Sequence, residues 1–176
     1  MTDKPLTSLK LRSFSVSIPE SDYDRLTGWA IRNTVPRSQI IRDIVHNWLD
    51  SRHGGLMTYY RHLAEAQSKT VYAVETDILG QAKRQSRSKA SVSSNDEQGT
   101  IRLSIGLPSW DNRRLLGHAH WNEVSKAEMV RRIVAPWLAE RDKELEFFWI
   151  EVAEWLGCDI AEAKRRMTED FDGQGR

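Results

Sequence analysis

Few side chains in this 176-residue chain could carry a reaction, and their spacing argues against most reactions. His118 and His120 fall two apart in a stretch expected to be helical. Residues i and i+2 do not share a helix face, so the pair is not expected to hold a metal. Cys158 is the only cysteine, and nothing beside it in sequence would activate it as a nucleophile, so a buried structural thiol is expected. There is no Gly-rich phosphate loop, no metal-ligand spacing and no triad, so the chain is expected to be no enzyme and to need no cofactor. What remains are polar side chains set two apart. Ser13, Ser15 and Ser17 alternate with Phe14, Val16 and Ile18, and Arg102, Ser104 and Gly106 alternate with Leu103, Ile105 and Leu107. Period two is the signature of a strand with one polar and one apolar face, and hydrogen bonding from the polar face is the chemistry on offer. Taken alone, such a face is also what any amphipathic strand turns to water.

These two strands open two copies of one pattern. Moved by 89 positions, Leu11–Arg52 overlays Thr100–Arg141 without a gap, and 15 of 42 positions are identical. Among them are Pro19/Pro108, Asp22/Asp111, Gly28/Gly117, Asn33/Asn122, Arg42/Arg131 and Trp48/Trp137. The offset continues more faintly: Leu56 meets Leu145, Tyr59 and Tyr60 meet Phe148 and Trp149, and Val71 meets Ile160. Each strand should end at its proline, which lacks the N–H that a ladder requires. A single strand leaves both edges unpaired, so the strand of one copy is expected to pair with that of the other.

Behind each strand the period changes to that of a helix. A short helix is expected over about 20–32, closed by Asn33 and its counterpart Asn122, residues that tolerate left-handed geometry. A second helix should start at Pro36-Arg37-Ser38 and at Ser125-Lys126-Ala127, where Ser125 and Glu128 have capping-box spacing. Within it Ile40, Ile41, Ile44, Val45, Trp48 and Leu49 form a stripe that Met129, Val130, Ile133, Val134, Trp137 and Leu138 repeat. Such a wide stripe calls for a partner helix across a two-fold or pseudo-two-fold axis. Pro136 is expected to kink the second copy's helix or remove one of its hydrogen bonds.

The net charge of +1 conceals an uneven distribution. Residues 1–52 carry 8 basic and 6 acidic groups, residues 100–141 carry 7 and 4, and residues 142–176 carry 5 and 10. No apolar run is long enough to span a bilayer and the start lacks a signal-peptide apolar region, so neither a membrane nor export is expected. With one cysteine there is no internal disulfide, which fits a reducing cytosol.

The segments SFSVSIPESDYDRL–VPRSQIIRDIVHNWL and IRLSIGLPSWDNRRL–VSKAEMVRRIVAPWL, within two units that cover about 84 residues together, resemble the ribbon-helix-helix superfamily of Arc, MetJ and CopG-type repressors. Because the pattern occurs twice, the resemblance is to its tandem, TraY- and VirC2-like forms. It implies a mainly α fold with a two-stranded antiparallel β-ribbon: a tandem pseudo-dimer with helical extensions. It further implies a bacterial DNA-binding protein, cytoplasmic and nucleoid- or plasmid-associated. The ribbon would enter the major groove of double-stranded DNA while helix N-termini grip phosphates. On that resemblance Ser13, Ser15, Ser17, Arg102, Ser104 and Gly106 read bases, and Arg37, Ser38, Ser125, Lys126 and Ala127 contact phosphates. Arg102 is the sharpest reader, since arginine bonds guanine O6 and N7 in bidentate fashion and serine is permissive. The first strand has no long polar side chain facing the groove unless Lys10 or Arg12 swings in. The implied function is a transcriptional regulator, a repressor. An accessory protein of plasmid transfer or maintenance and an antitoxin with a toxin-binding C-terminal region are the alternatives.

Five segments follow. The first unit spans 11–52, a helical extension 53–85, a flexible linker 86–99, the second unit 100–141, and an acidic, aromatic helical extension 142–170. His53-Gly54-Gly55 reads as a helix stop, and the basic run Lys83–Lys89 as a solvated linker able to add non-specific phosphate contact. In the C-terminal extension Phe147, Phe148, Trp149 and Trp155 either pack on the core or form a surface for self-association or a protein partner. Repulsion by phosphates should hold this acidic end away from DNA.

Overall fold

Pro19 and Pro108 mark the points where the backbone turns from strand to helix. The computed structural model describes residues 11–89 and 99–174. Strand β1 (Leu11–Pro19) is followed by α1 (Glu20–Asn33), α2 (Arg37–Ser51), α3 (His53–Ala66) and α4 (Val71–Lys89). Strand β2 (Thr100–Pro108) is followed by α5 (Ser109–Trp121), α6 (Lys126–Glu140), α7 (Asp142–Leu156) and α8 (Ile160–Gln174). The fold is mainly helical around one two-stranded antiparallel sheet, the architecture of a ribbon-helix-helix.

The register places Ser13 opposite Gly106, Ser15 opposite Ser104 and Ser17 opposite Arg102. Ser15 thus pairs with its own counterpart at the 89-residue offset, so the sequence repeat and the ribbon share one pseudo-two-fold centre. Val16, Ile18, Ile105 and Leu107 are buried under the ribbon against the stripes of α2 and α6, which pack on each other. Two paired edge arginines hold the ribbon on these helices. Arg42 donates from Nε to the Gly106 carbonyl at 2.9 Å, and its counterpart Arg131 donates to the Ser17 carbonyl at 3.0 Å. Each covers an outward carbonyl of the opposite copy's strand, which also blunts the ribbon's edges.

The extension helices cross over as well. Leu56 and Tyr60 of α3 lie against Gly117 of α5, and their counterparts Leu145 and Trp149 of α7 lie against Gly28 of α1. A Cβ at Gly117 would stand 2.1 Å from the Tyr60 hydroxyl, and one at Gly28 would stand 2.8 Å from Leu145 Cδ1, so both glycines are there for close approach. The offset persists into the last helices: buried Leu56, Tyr60, Ala64 and Val74 correspond to buried Leu145, Trp149, Ala153 and Ala163.

Several local expectations need correction. Asn33 and Asn122 do not take the left-handed position. Each donates its amide to the carbonyl four residues back at 2.8 Å, and the next residues, Thr34 and Glu123, adopt φ 55°. His53-Gly54-Gly55 does not stop a helix, since it forms the first turn of α3 after a break at Arg52. Pro136 needs no such correction: it sits inside α6, which runs on through it to Glu140, and having no N–H it leaves one i→i−4 bond of the helix unmade. Residues 86–89 of the expected linker belong to α4, and residues 90–98 lie outside the described residues, as does Lys10. Cys158 is half-buried and precedes α8, which continues to Gln174.

Candidate nucleic-acid interface

Alternation turns one face of the ribbon away from the core. On it Ser13, Ser15, Arg102 and Ser104 are exposed, while Ser17 and Gly106 are half-buried. All six residues expected to read bases therefore lie together, as three directly opposed pairs in register. Arg12 falls on the opposite parity, paired with Leu107, so it does not share the row of Ser13. Leu11 does share that row. Its place two residues before Ser13 encodes that parity.

The five expected phosphate contacts sit at two helix starts. In α6 the Ser125 hydroxyl accepts from the Glu128 N–H at 3.0 Å, but the Glu128 carboxylate does not reach back to complete the box. It bonds Arg131 and Arg132 instead, and the Arg131 hydrogen bonds hold it below the usual carboxylate range. The amides of Lys126 and Ala127, in the first turn, have no carbonyl four back within the helix. The amides of Arg37 and Ser38 hold the same position in α2.

The two basic side chains at these starts are engaged by the protein itself. Lys126 places Nζ 3.6 Å from the centre of the Phe14 ring and 3.0 Å from Asn112 Oδ1. Burial pushes its pKa down to about 8, so its ammonium is retained at neutral pH at the cost of desolvation. Arg37 donates from Nε to the Thr27 hydroxyl at 2.7 Å and pairs with Asp172 of α8 at 2.8 Å. Its guanidinium lies between the rings of Tyr23 and Phe171, 4.8 and 5.0 Å from their centres. The acidic C-terminal helix α8 packs on α1 and puts a carboxylate on Arg37.

The remaining candidates separate in space. His118 is buried between Trp48 and Trp121 while His120 is exposed, so the two imidazoles do not converge. Burial, with Arg52, Arg114 and His53 nearby, pushes the His118 pKa down to about 4. Trp149 is buried and Phe148 packs against the main core, which leaves Phe147 and Trp155 as the exposed members of the C-terminal aromatic set. The side chains of the basic run Lys83–Lys89 lie outside the described residues. No helix among the described residues is long and apolar enough to cross a membrane.

Residues 12–52 match the family model described as "Ribbon-helix-helix protein, copG family". Over those residues the chain is similar to the proteins of that family. The match runs from Arg12, the second residue of β1, through α1 and α2 to the residue after α2, the elements whose polar face and helix start are described above. The family is one of DNA-binding regulators, and double-stranded DNA is the partner class to which the ribbon-helix-helix points. No curated protein and no solved structure matches the chain.

Proposed function

We propose that this chain is a sequence-specific double-stranded DNA-binding protein, a transcriptional repressor, in which two ribbon-helix-helix half-units are fused and the β1-β2 ribbon enters the major groove. The observation that carries the reading is the ribbon register, which sets Ser13/Gly106, Ser15/Ser104 and Ser17/Arg102 side by side on one outward face. A two-stranded ribbon fits the major groove, where each base pair presents a distinct pattern of donors and acceptors. The base-reading set is Ser13, Ser15, Ser17, Arg102, Ser104 and Gly106, with Arg102 on guanine. The first-turn amides of α2 and α6, with Arg37, Ser38, Ser125, Lys126 and Ala127, take the flanking phosphates.

The test is selection of a preferred site from a random duplex pool, followed by binding of the Arg102→Ala variant to single-base variants of that site. Loss of a bidentate arginine contact costs about 1–3 kcal/mol at one base pair, roughly 5- to 150-fold in affinity. Arg102→Ala should lose preference for guanine at one position only. Equal loss across all sequences would make Arg102 a phosphate contact and refute its assignment. Protection of a promoter in footprinting supports repression, and protection confined to the neighbourhood of a nick site refutes it in favour of a transfer accessory role.

A further inference from the structure

We infer that Leu11 is a seventh groove-facing residue, which reads the 5-methyl group of a thymine on the side of the pseudo-two-fold centre opposite Arg102. This inference rests on the proposed groove binding of the ribbon. In β1 the row that faces away from the core runs Leu11, Ser13, Ser15, Ser17, because side chains alternate along a strand. Leu11 is 45% exposed, the largest apolar side chain on a row that is otherwise serine. It lies opposite Pro108 and leans over the backbone of Gly106: a Cβ built at Gly106 would stand 3.3 Å from both Leu11 Cβ and Leu11 Cδ1. The absence of a side chain at position 106 is thus what gives Leu11 its place on the reading face. The counterpart of Leu11 is Thr100 and that of Gly106 is Ser17, so the apolar end is not repeated beside Arg102.

The chemistry follows from this asymmetry. One end of the ribbon offers a guanidinium and a hydroxyl, which match the acceptors of guanine. The other offers Leu11, Pro108 and the bare backbone of Gly106, with Ser13 as the only polar side chain. The apolar feature in the major groove is the thymine methyl, which contact with an apolar side chain distinguishes from cytosine. Position 11 is two residues beyond Ser13, so the thymine lies farther from the centre than the base pair read by Ser13. The half-site that appears featureless when only polar residues are counted is read by shape and hydrophobic contact.

Uracil in place of thymine removes that methyl group and nothing else. In the full-length protein, single thymine-to-uracil substitutions across the selected site should lower affinity about fourfold at one position, the value for one buried methyl. That position should lie across the centre from the guanine that Arg102 reads. The Leu11→Ala variant should bind the thymine and uracil sites equally while keeping the guanine preference. A flat uracil scan of the wild-type protein overturns this inference and leaves the ribbon reading intact, as does a uracil effect that persists in Leu11→Ala. A pool that yields no preferred site overturns both.

Discussion

Lowering the pH should destabilise this protein through one imidazole. His118 is 2% exposed, Nε2 is buried without a hydrogen-bond partner, and the ring lies edge-on to Trp48 at 4.8 Å and stacked on Trp121 at 5.8 Å. Protonation would put a charge in that slot, beside the cations Arg52 and Arg114, and this depresses the pKa from 6.5 to about 4. A depressed histidine contributes stability that is fully present above the unfolded value of 6.5 and is lost as pH falls toward 4, because the unfolded chain takes up the proton first. The full difference is about 3 kcal/mol, and about 2 kcal/mol of it is lost between pH 7.5 and pH 5. The assay is urea denaturation of the wild-type protein and His118→Phe at intervals from pH 7.5 to pH 5. Phenylalanine keeps an aromatic ring against Trp48 and cannot titrate. The wild-type stability should fall relative to the variant by about 2 kcal/mol over that range. Parallel pH profiles would refute the reasoning and show that His118 is not the titrating group.

Two further outcomes follow from contacts between distant elements. Asp172→Asn removes the carboxylate that competes with phosphate for Arg37 and should strengthen that contact, steepening the dependence of log affinity on log salt by up to about 0.9. An unchanged slope in filter binding would make Arg37 a structural anchor for α8 and remove it from the phosphate contacts. Alanine in place of a helical glycine usually stabilises by roughly 0.5–1 kcal/mol, but Gly117→Ala should destabilise by about 1–3 kcal/mol because Tyr60 is itself buried. Gly28→Ala should cost less, since the nearest atom is a movable Leu145 methyl, and equal or stabilising effects on urea midpoints would refute the crossed docking of α3 and α7.

The parts of this fold legible in the sequence are those that a local period encodes. Alternation from Leu11 to Ile18 and from Ile101 to Leu107 specifies two strands, and the apolar stripes specify the helix faces that bury Ile41, Val45, Val130 and Val134. The ribbon pairing followed because two lone strands have no other mate. What could not be read depends on partners far along the chain. Gly28 and Gly117 look like weak points in a helix until Leu145 and Tyr60 arrive against them. The Arg37–Asp172 pair joins residues 135 apart, a separation that no local period encodes. Lys126 shows the same limit on a smaller scale. A lysine at a helix start suggests phosphate, but it turns onto Phe14 of the ribbon, a ring whose position only the tertiary structure fixes.

The distribution of identity and difference between the two halves shows what fusion permits. Residues that hold the scaffold are the same or similar in both: Arg42 and Arg131 on the ribbon carbonyls, Gly28 and Gly117 under the crossing helices, Trp48 and Trp137 beside α5 and α1. Each of these contacts joins one half to the other, so a change on one side alone would mismatch its partner. Reading-face residues face solvent rather than the other half's core, and there the copies diverge: Leu11 against Thr100, Ser13 against Arg102, Ser17 against Gly106. In a homodimer every such change would appear twice and the ribbon would stay two-fold symmetric. In one chain a side chain can be placed at one end alone, and only the central Ser15–Ser104 pair, which lies on the centre itself, remains alike. The matching DNA site is therefore expected to be non-palindromic, with guanine at the Arg102 end and thymine at the Leu11 end. A selected site that is a perfect inverted repeat would show that the divergent residues do not touch bases.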